Sequence, residues 1–441
     1  MRRQSRTSLR LALPLLSALL AALPACRSGS AGQAGTDTVP APPAGGARTA
    51  ARPGGVIPGL EILVRDSLHL VRGKRVGFIT NQSAVTRTGE LGADLLARTP
   101  GVELTALFGP EHGIRGDLEA GASVSAGVDT KTGVPVFSLY DRTQRPTAEE
   151  LANVDVLMFD IQDVGARPYT FVWTMTMAME EAAKKGIPFI VLDRPNPITD
   201  AVDGPVMDLA VREVTQVITG YYSVPLRHGM TVGEVARYFN EDAKLGLELH
   251  VVPAEGWRPD MWFEETGLPF VRPSPNIRSI DAALKFSGLV LAEGTNVHVG
   301  RGTEAPFSYF GAPWLDAEAL RRAVAKYRLP GVRLVPERIT PTRDPAVYTR
   351  YRDTTFTTLR LDVTDRRTFR PVFTTLALLS EARRMAPQHF RVANEGFTQM
   401  LGSRWAREAF DRGDDPRRIA ARWEQEMRAW LAVRNRHKLY R

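Results

Sequence analysis

The chain has one cysteine, Cys26, in 441 residues. Beyond that position no thiol is left for a disulfide, a thiolate zinc site or a cysteine nucleophile, so a folded part must be held by its core alone. Only one long apolar run occurs, Leu11 to Leu23, and nothing after it is long enough to cross a bilayer as a helix. No G-x-G-x-x-G or Walker loop follows any candidate strand, and no H-E-x-x-H or paired-histidine spacing is present, so neither a nucleotide nor a metal cofactor is expected. Clustered lysine and arginine with interleaved aromatics are also missing. The formal net charge of +8 includes Arg2, Arg3, Arg6 and Arg10 at the extreme N-terminus, and the rest is spread over a large surface, which excludes nucleic acid as an expected partner.

Those four arginines precede the apolar run, the arrangement of an export signal over residues 1–25. The run ends in Leu23-Pro24-Ala25-Cys26, similar to the lipobox of bacterial lipoproteins, so Cys26 is the expected lipidation site; the alternative is ordinary cleavage nearby with Cys26 a stray thiol. Residues 26–55 are rich in Ala, Gly, Pro, Ser and Thr and carry almost no large apolar side chain, a composition that cannot offset the entropy of ordering and reads as a tether. The expected location is the cell envelope, with a lipid anchor as the membrane contact.

From Arg75 onward, short β-branched apolar runs alternate with helix-like stretches, the pattern of a parallel sheet covered on both faces. The expected strands are Arg75–Thr80, Glu103–Phe108, Val134–Leu139, Val154–Ile161 and Pro188–Asp193. Leu91–Arg98 and Ala148–Asn153 read as short helices, and Val172–Lys185 as a longer one stopping at Gly186. The fold class expected is α/β: a Rossmann-like, doubly wound domain over residues 56–275, then a smaller α/β domain over 276–441. The boundary falls at the proline-rich stretch Val271-Arg272-Pro273-Ser274-Pro275-Asn276. In the second domain the expected strands are Gly288–Ala292, Val332–Pro336 and Phe356–Val363. A closing helix should start at Asp415-Pro416, with Ile419, Trp423, Met427 and Trp430 or Leu431 on its core face.

In such sheets ligands sit at the carboxyl ends of the strands. Four loops leave those ends: Asn81-Gln82-Ser83; Gly109-Pro110-Glu111-His112-Gly113; Asp160 followed by Gln162-Asp163-Val164-Gly165-Ala166-Arg167-Pro168-Tyr169; and Asp193-Arg194-Pro195-Asn196-Pro197. Each alone is also ordinary turn or N-cap chemistry, whereas convergence of all four on one crevice is not. The second domain adds Glu293-Gly294-Thr295-Asn296 and Gly300-Arg301-Gly302-Thr303, whose glycines let the backbone approach a ligand closely.

These blocks, together with Gly311-Ala312-Pro313-Trp314 and in the same order, resemble the signature blocks of the NamZ-type exo-β-N-acetylmuramidases, over roughly Ile57 to Tyr440. The resemblance implies a Rossmann-like N-terminal domain, a smaller C-terminal domain, and release of N-acetylmuramic acid from the non-reducing end of peptidoglycan-derived saccharides. Three residues depart from the family pattern near the cleft: Arg278, Ser287 and His298.

Glycoside hydrolysis needs an acid for the leaving oxygen and a second group for the oxocarbenium-like centre. Glu111 is the expected acid, tuned by His112. Asp160, Asp163 or Glu293 is the second group, and the sequence does not rank them. The lactyl carboxylate of N-acetylmuramic acid favours a cation, with Arg167 and Arg301 first and Arg115 behind them. Asn81, Gln162, Tyr169, Asp193, Asn196 and Asn296 are the remaining substrate-binding candidates. Two rival readings stand beside this one: a metal-dependent hydrolase using Glu111, His112, Asp160 and Asp163, and a non-catalytic sugar-binding lipoprotein.

Overall fold

The alternating pattern folds as a layered α/β structure in a computed structural model, which describes residues 55–111, 113–116, 127–140, 143–215, 218–342 and 349–441. Its strands in chain order are β1 (Arg75–Thr80), β2 (Glu103–Gly109), β3 (Gly127–Val128), β4 (Pro135–Ser138), β5 (Val156–Asp160), β6 (Phe189–Leu192), β7 (Asp203–Val206), β8 (Pro225–Arg227), β9 (Leu249–Val252), β10 (Tyr309–Phe310), β11 (Val332–Ile339) and β12 (Phe356–Val363). Seven of them form one sheet in the order β3-β4-β2-β1-β5-β6-β9, and every pairing is parallel except the β3–β4 edge. The chain winds outward from β1 in one direction through β2 and β4, then in the other through β5, β6 and β9. The point where the winding reverses lies between β1 and β5.

The central strands are apolar on both sides because both sides are covered. Val156, Met158, Ile190 and Leu192 pack with the helices Gly59–Asp66 and Gly92–Ala97 on one face. Leu157, Phe159, Phe189 and Val191 point to the other face, into the helix Phe171–Lys185. That helix stops at Gly186, which has φ 72° and caps the last turn, as expected. The second core continues without a break into the C-terminal half, through Leu284, Leu291, Leu359, Leu376 and Trp423.

Two expected elements differ. Gly288–Ala292 is not a strand but the end of the helix Ile280–Glu293, which Ser279 caps by accepting a 3.1 Å bond from the Ala282 amide. The run from Leu284 to Ala292 is apolar because the helix is buried on nearly all sides, and a short apolar run does not distinguish the two elements. Gly288 serves close helix packing, since a Cβ there would lie 2.1 Å from the Pro371 carbonyl oxygen. Ala148–Asn153 forms turns, not a helix. The small antiparallel sheet β10-β12-β11 and the closing helix Pro416–His437, capped by Asp415 and burying Ile419, Trp423, Met427 and Trp430, complete the second half.

Candidate functional site

A cavity of about 240 Å³ lies at the carboxyl end of β2, under the start of the helix Phe171–Lys185. The loop after β2 brings Glu111 to it, and the loop after β5 brings Tyr169 and Thr170. Glu293, the last residue of the helix Ile280–Glu293, and Arg301 enter from the second half. Phe286, Val290 and Phe307 form an apolar wall, all of them core residues.

Glu111 accepts a 3.3 Å bond from the Thr170 hydroxyl. Tyr140 faces it from the end of β4, and burial together with the Glu111 carboxylate pushes the Tyr140 phenol well above its usual range, so it stays a proton donor. Among the described residues Glu111 makes no ion pair. Glu293 is different: Arg301 grips it with Nε to Oε1 and with Nη2 to Oε2 at 3.0 Å. The Arg301 guanidinium also lies 4.9 Å over the Phe307 ring. Its loop is fixed by Gly300 (φ 96°) and Gly302 (φ 76°), conformations that favour glycine. His298 sets the loop from below: its Nδ1 accepts from the Gly300 amide at 3.0 Å and its Nε2 lies 3.1 Å from the Arg301 carbonyl. Burial lowers this imidazole to about 4, so it is neutral and holds the turn. Ser287 bonds only the Leu284 carbonyl in its own helix, and Arg278 reaches the carbonyls of Pro275, Thr303 and Glu304.

The four strand-end loops meet one another, Ser83 reaching Gln162, Gln162 reaching Pro195 and Thr170 reaching Glu111, but only the β2 and β5 loops line the cavity. At the reversal point these loops bond one another, while Asn81 Nδ2, Gln162 Oε1 and Asp163 Oδ1 are buried without a hydrogen-bond partner among the described residues. Asn81 Oδ1 accepts from the amide and hydroxyl of Ser83, whose oxygen accepts from the Gln162 amide at 3.0 Å. Gln162 Nε2 donates to the carbonyls of Asp163 and Pro195. Asp160, fully buried, is paired with Arg194, Nη2 to Oδ2 at 2.9 Å. Asp163 is also buried, with Oδ2 accepting from the Gly165 amide at 2.7 Å and 3.4 Å from His228 Nε2. Of the tetrad Glu111, His112, Asp160 and Asp163, Asp160 is tied to a guanidinium and Asp163 to the Gly165 amide, and His112 lies outside the described residues. Among those residues no group of three His, Cys, Asp or Glu is placed to hold a metal ion.

Asp193 is likewise structural, accepting from Thr231, the Gly233 amide and Tyr440. Asn196 bonds the Met230 carbonyl and the Ile198 amide, and Asn296 the His389 carbonyl and the Arg391 amide. Arg167 does not face the cavity. It is fully buried, donating to the carbonyls of Pro205, Val224 and Met400, and burial lowers it to about 9. Arg115 is held away by Asp94 and Asp129. Of the sequence candidates, Glu111, Tyr169, Glu293 and Arg301 meet at one cavity. Sequence reasoning missed Tyr140, Thr170, Ser274 and Asn276. Thr170 directly follows a chosen residue, and Ser274 and Asn276 sit in the proline-rich stretch that reads only as a boundary.

Family models match nearly all of the described chain: the N-terminal part of exo-β-N-acetylmuramidase NamZ over residues 76–281 and its C-terminal part over 284–440. The peptidoglycan β-N-acetylmuramidase NamZ of Bacillus subtilis (strain 168) is 39% identical over 384 residues, 87% of this chain and 91% of that protein. Two crystal structures of DUF1343 family proteins from Bacteroides fragilis NCTC 9343 share the fold. One has a TM-score of 0.81 at 30% identity, covering 88% of this chain and all of the other. The second has a TM-score of 0.69 at 25% identity, covering 88% and 99%. Two consecutive family models and a relative of this identity over most of both chains establish that this chain belongs to the NamZ family of exo-β-N-acetylmuramidases, which are glycoside hydrolases.

Proposed function

We propose that the cavity between Glu111 and the Glu293–Arg301 pair binds a terminal N-acetylmuramic acid residue of a peptidoglycan fragment and is where its glycosidic bond is hydrolysed. The observation that carries this reading is the unequal pairing of the two carboxyl groups. Glu293 is gripped at both oxygens by the Arg301 guanidinium, whereas Glu111 is hydrogen-bonded only by hydroxyl groups among the described residues and feels the Arg301 charge at longer range. Glycoside hydrolysis divides its work between two such groups, a proton donor and an anion. Glu111 gives its proton to the leaving oxygen, and Glu293 faces the positive charge that develops at the anomeric centre. Of the Arg301 nitrogens, Nε and Nη2 are spent on Glu293, and Nη1 has no hydrogen-bond partner among the described residues. That nitrogen is the donor for the lactyl carboxylate. Comparing hydrolysis of chromogenic N-acetylmuramide and N-acetylglucosaminide tests the reading. Rapid turnover of the first and near inertness of the second is expected, and equal turnover would refute it.

The export and anchoring expectation belongs to this reading, since the substrate is a cell-wall fragment. Cys26 and the tether lie outside the described residues, and the support is the Leu23-Pro24-Ala25-Cys26 sequence behind the apolar run. Replacing Cys26 by Ser should release the protein from the membrane fraction; unchanged partitioning would sink the anchor.

A further inference from the structure

We infer that the larger groove beside the cavity is the subsite for the departing part of the saccharide. This inference rests on the reading of the cavity above. The cavity of about 240 Å³ is too small for more than about one sugar, since pockets for larger ligands run to roughly 300–1,000 Å³. Its apolar side, Phe286, Val290 and Phe307, is core, so a saccharide cannot continue through it. Ile218 is the point of contact with a second concavity of about 750 Å³, which it also lines. A chain whose terminal residue fills the cavity therefore has this groove as its continuation.

The groove's chemistry suits a hydrophilic saccharide carrying an anionic substituent. Thr143, Gln144 and Thr147 offer hydroxyl and amide groups. Arg145 is committed, paired with Glu180 and Glu181 and donating to the Tyr221 hydroxyl at 2.7 Å. Arg212 is not: it stacks 3.9 Å over the Tyr221 ring and donates to the Tyr221 carbonyl at 2.9 Å, and among the described residues it has no carboxylate partner. Its guanidinium is thus held flat at the groove wall with charge to spare, the arrangement that receives a carboxylate. On a peptidoglycan fragment the matching group is the lactyl or peptide carboxylate of the next muramic acid.

The test compares two substrates on the full-length protein: a nitrophenyl N-acetylmuramide, whose aglycone is a single ring, and a tetrasaccharide of alternating N-acetylmuramic acid and N-acetylglucosamine with N-acetylmuramic acid at its non-reducing end. Arg212→Ala removes the cation, and Gln144→Trp fills the groove from an exposed position without removing a described contact. Each should lower kcat/KM on the tetrasaccharide at least ten-fold while leaving the nitrophenyl glycoside within two-fold. Unchanged tetrasaccharide turnover in both variants would overturn the subsite. An equal fall on both substrates would also overturn it, by making the groove a support of the fold only. A wild type that hydrolyses the nitrophenyl glycoside but not the tetrasaccharide would overturn the subsite while sparing the cavity reading. Inertness toward both would sink the two together.

Discussion

The Tyr440 hydroxyl lies 2.6 Å from Asp193 Oδ2 and accepts a 2.8 Å bond from the Ala254 amide, so the segment after the helix Pro416–His437 is fastened to the carboxyl end of β6. Asp193 is fully buried, and burial pushes its carboxyl up to about 7 despite the donors from Tyr440, Gly233 and Thr231. An unfolded aspartate titrates near pH 4, so between about pH 4 and 7 the folded state holds a proton that the unfolded chain has released. This group's contribution to stability therefore declines as pH rises through that window and is level above it. Urea midpoints of wild type minus Asp193→Asn should fall from about pH 4.5 to 7; a difference that rises instead would show an ionised Asp193 in the folded state. Tyr440→Phe should cost about 1–3 kcal/mol, the scale for a hydrogen bond to a charged or buried partner.

Glu111→Gln keeps the shape of the side chain and its contact with Thr170 but cannot supply a proton. Turnover of chromogenic N-acetylmuramide should fall by about two to four decades, the range for a lost general acid, with the melting temperature unchanged. Near-normal turnover would move the acid to another carboxyl, and Glu293 is the other one in the cavity.

The parallel sheet was legible because β1, β5 and β6 are continuous apolar runs, and the closing helix because Asp415-Pro416 and the stripe through Trp423 carry helix signals of their own. Gly288–Ala292 was misread because full burial erases the period that separates helix from strand. At the site, Glu111 and Arg301 were legible as chemistry set in glycine-rich turns. Asp160 and Arg167 stood in equally polar loops, and only their partners, Arg194 in one case and three carbonyls in the other, show that they serve the fold. A partner more than thirty residues away leaves no local signal.

The Asp160–Arg194 pair gives a stability prediction in place of a catalytic one. Both side chains are buried, so Asp160→Asn leaves a guanidinium uncompensated in the core, and breaking such a pair costs about 3–5 kcal/mol. Chemical denaturation should show a loss of that order. A variant of full stability but lost turnover would return Asp160 to the catalytic set.

Arg167 and Arg301 separate the two kinds of arginine by experiment. Arg301 lines the cavity with Nη1 unspent, so Arg301→Ala should narrow the preference for N-acetylmuramide over N-acetylglucosaminide. About 10- to 100-fold is expected, corresponding to about 1.5–3 kcal/mol for a hydrogen bond to a charged group. Arg301→Lys keeps the charge without the two-pronged grip on Glu293 and should recover only part of it. Arg167→Ala should behave oppositely. It removes donors to the carbonyls of Pro205, Val224 and Met400 and opens a space against Gly402, whose Cβ position lies 2.5 Å from the guanidinium nitrogens. The melting temperature should drop while the ratio of kcat/KM between the two sugars in the surviving folded fraction holds. Loss of sugar preference in Arg167→Ala with an unshifted melting temperature would reverse the assignment and place the lactyl carboxylate at Arg167.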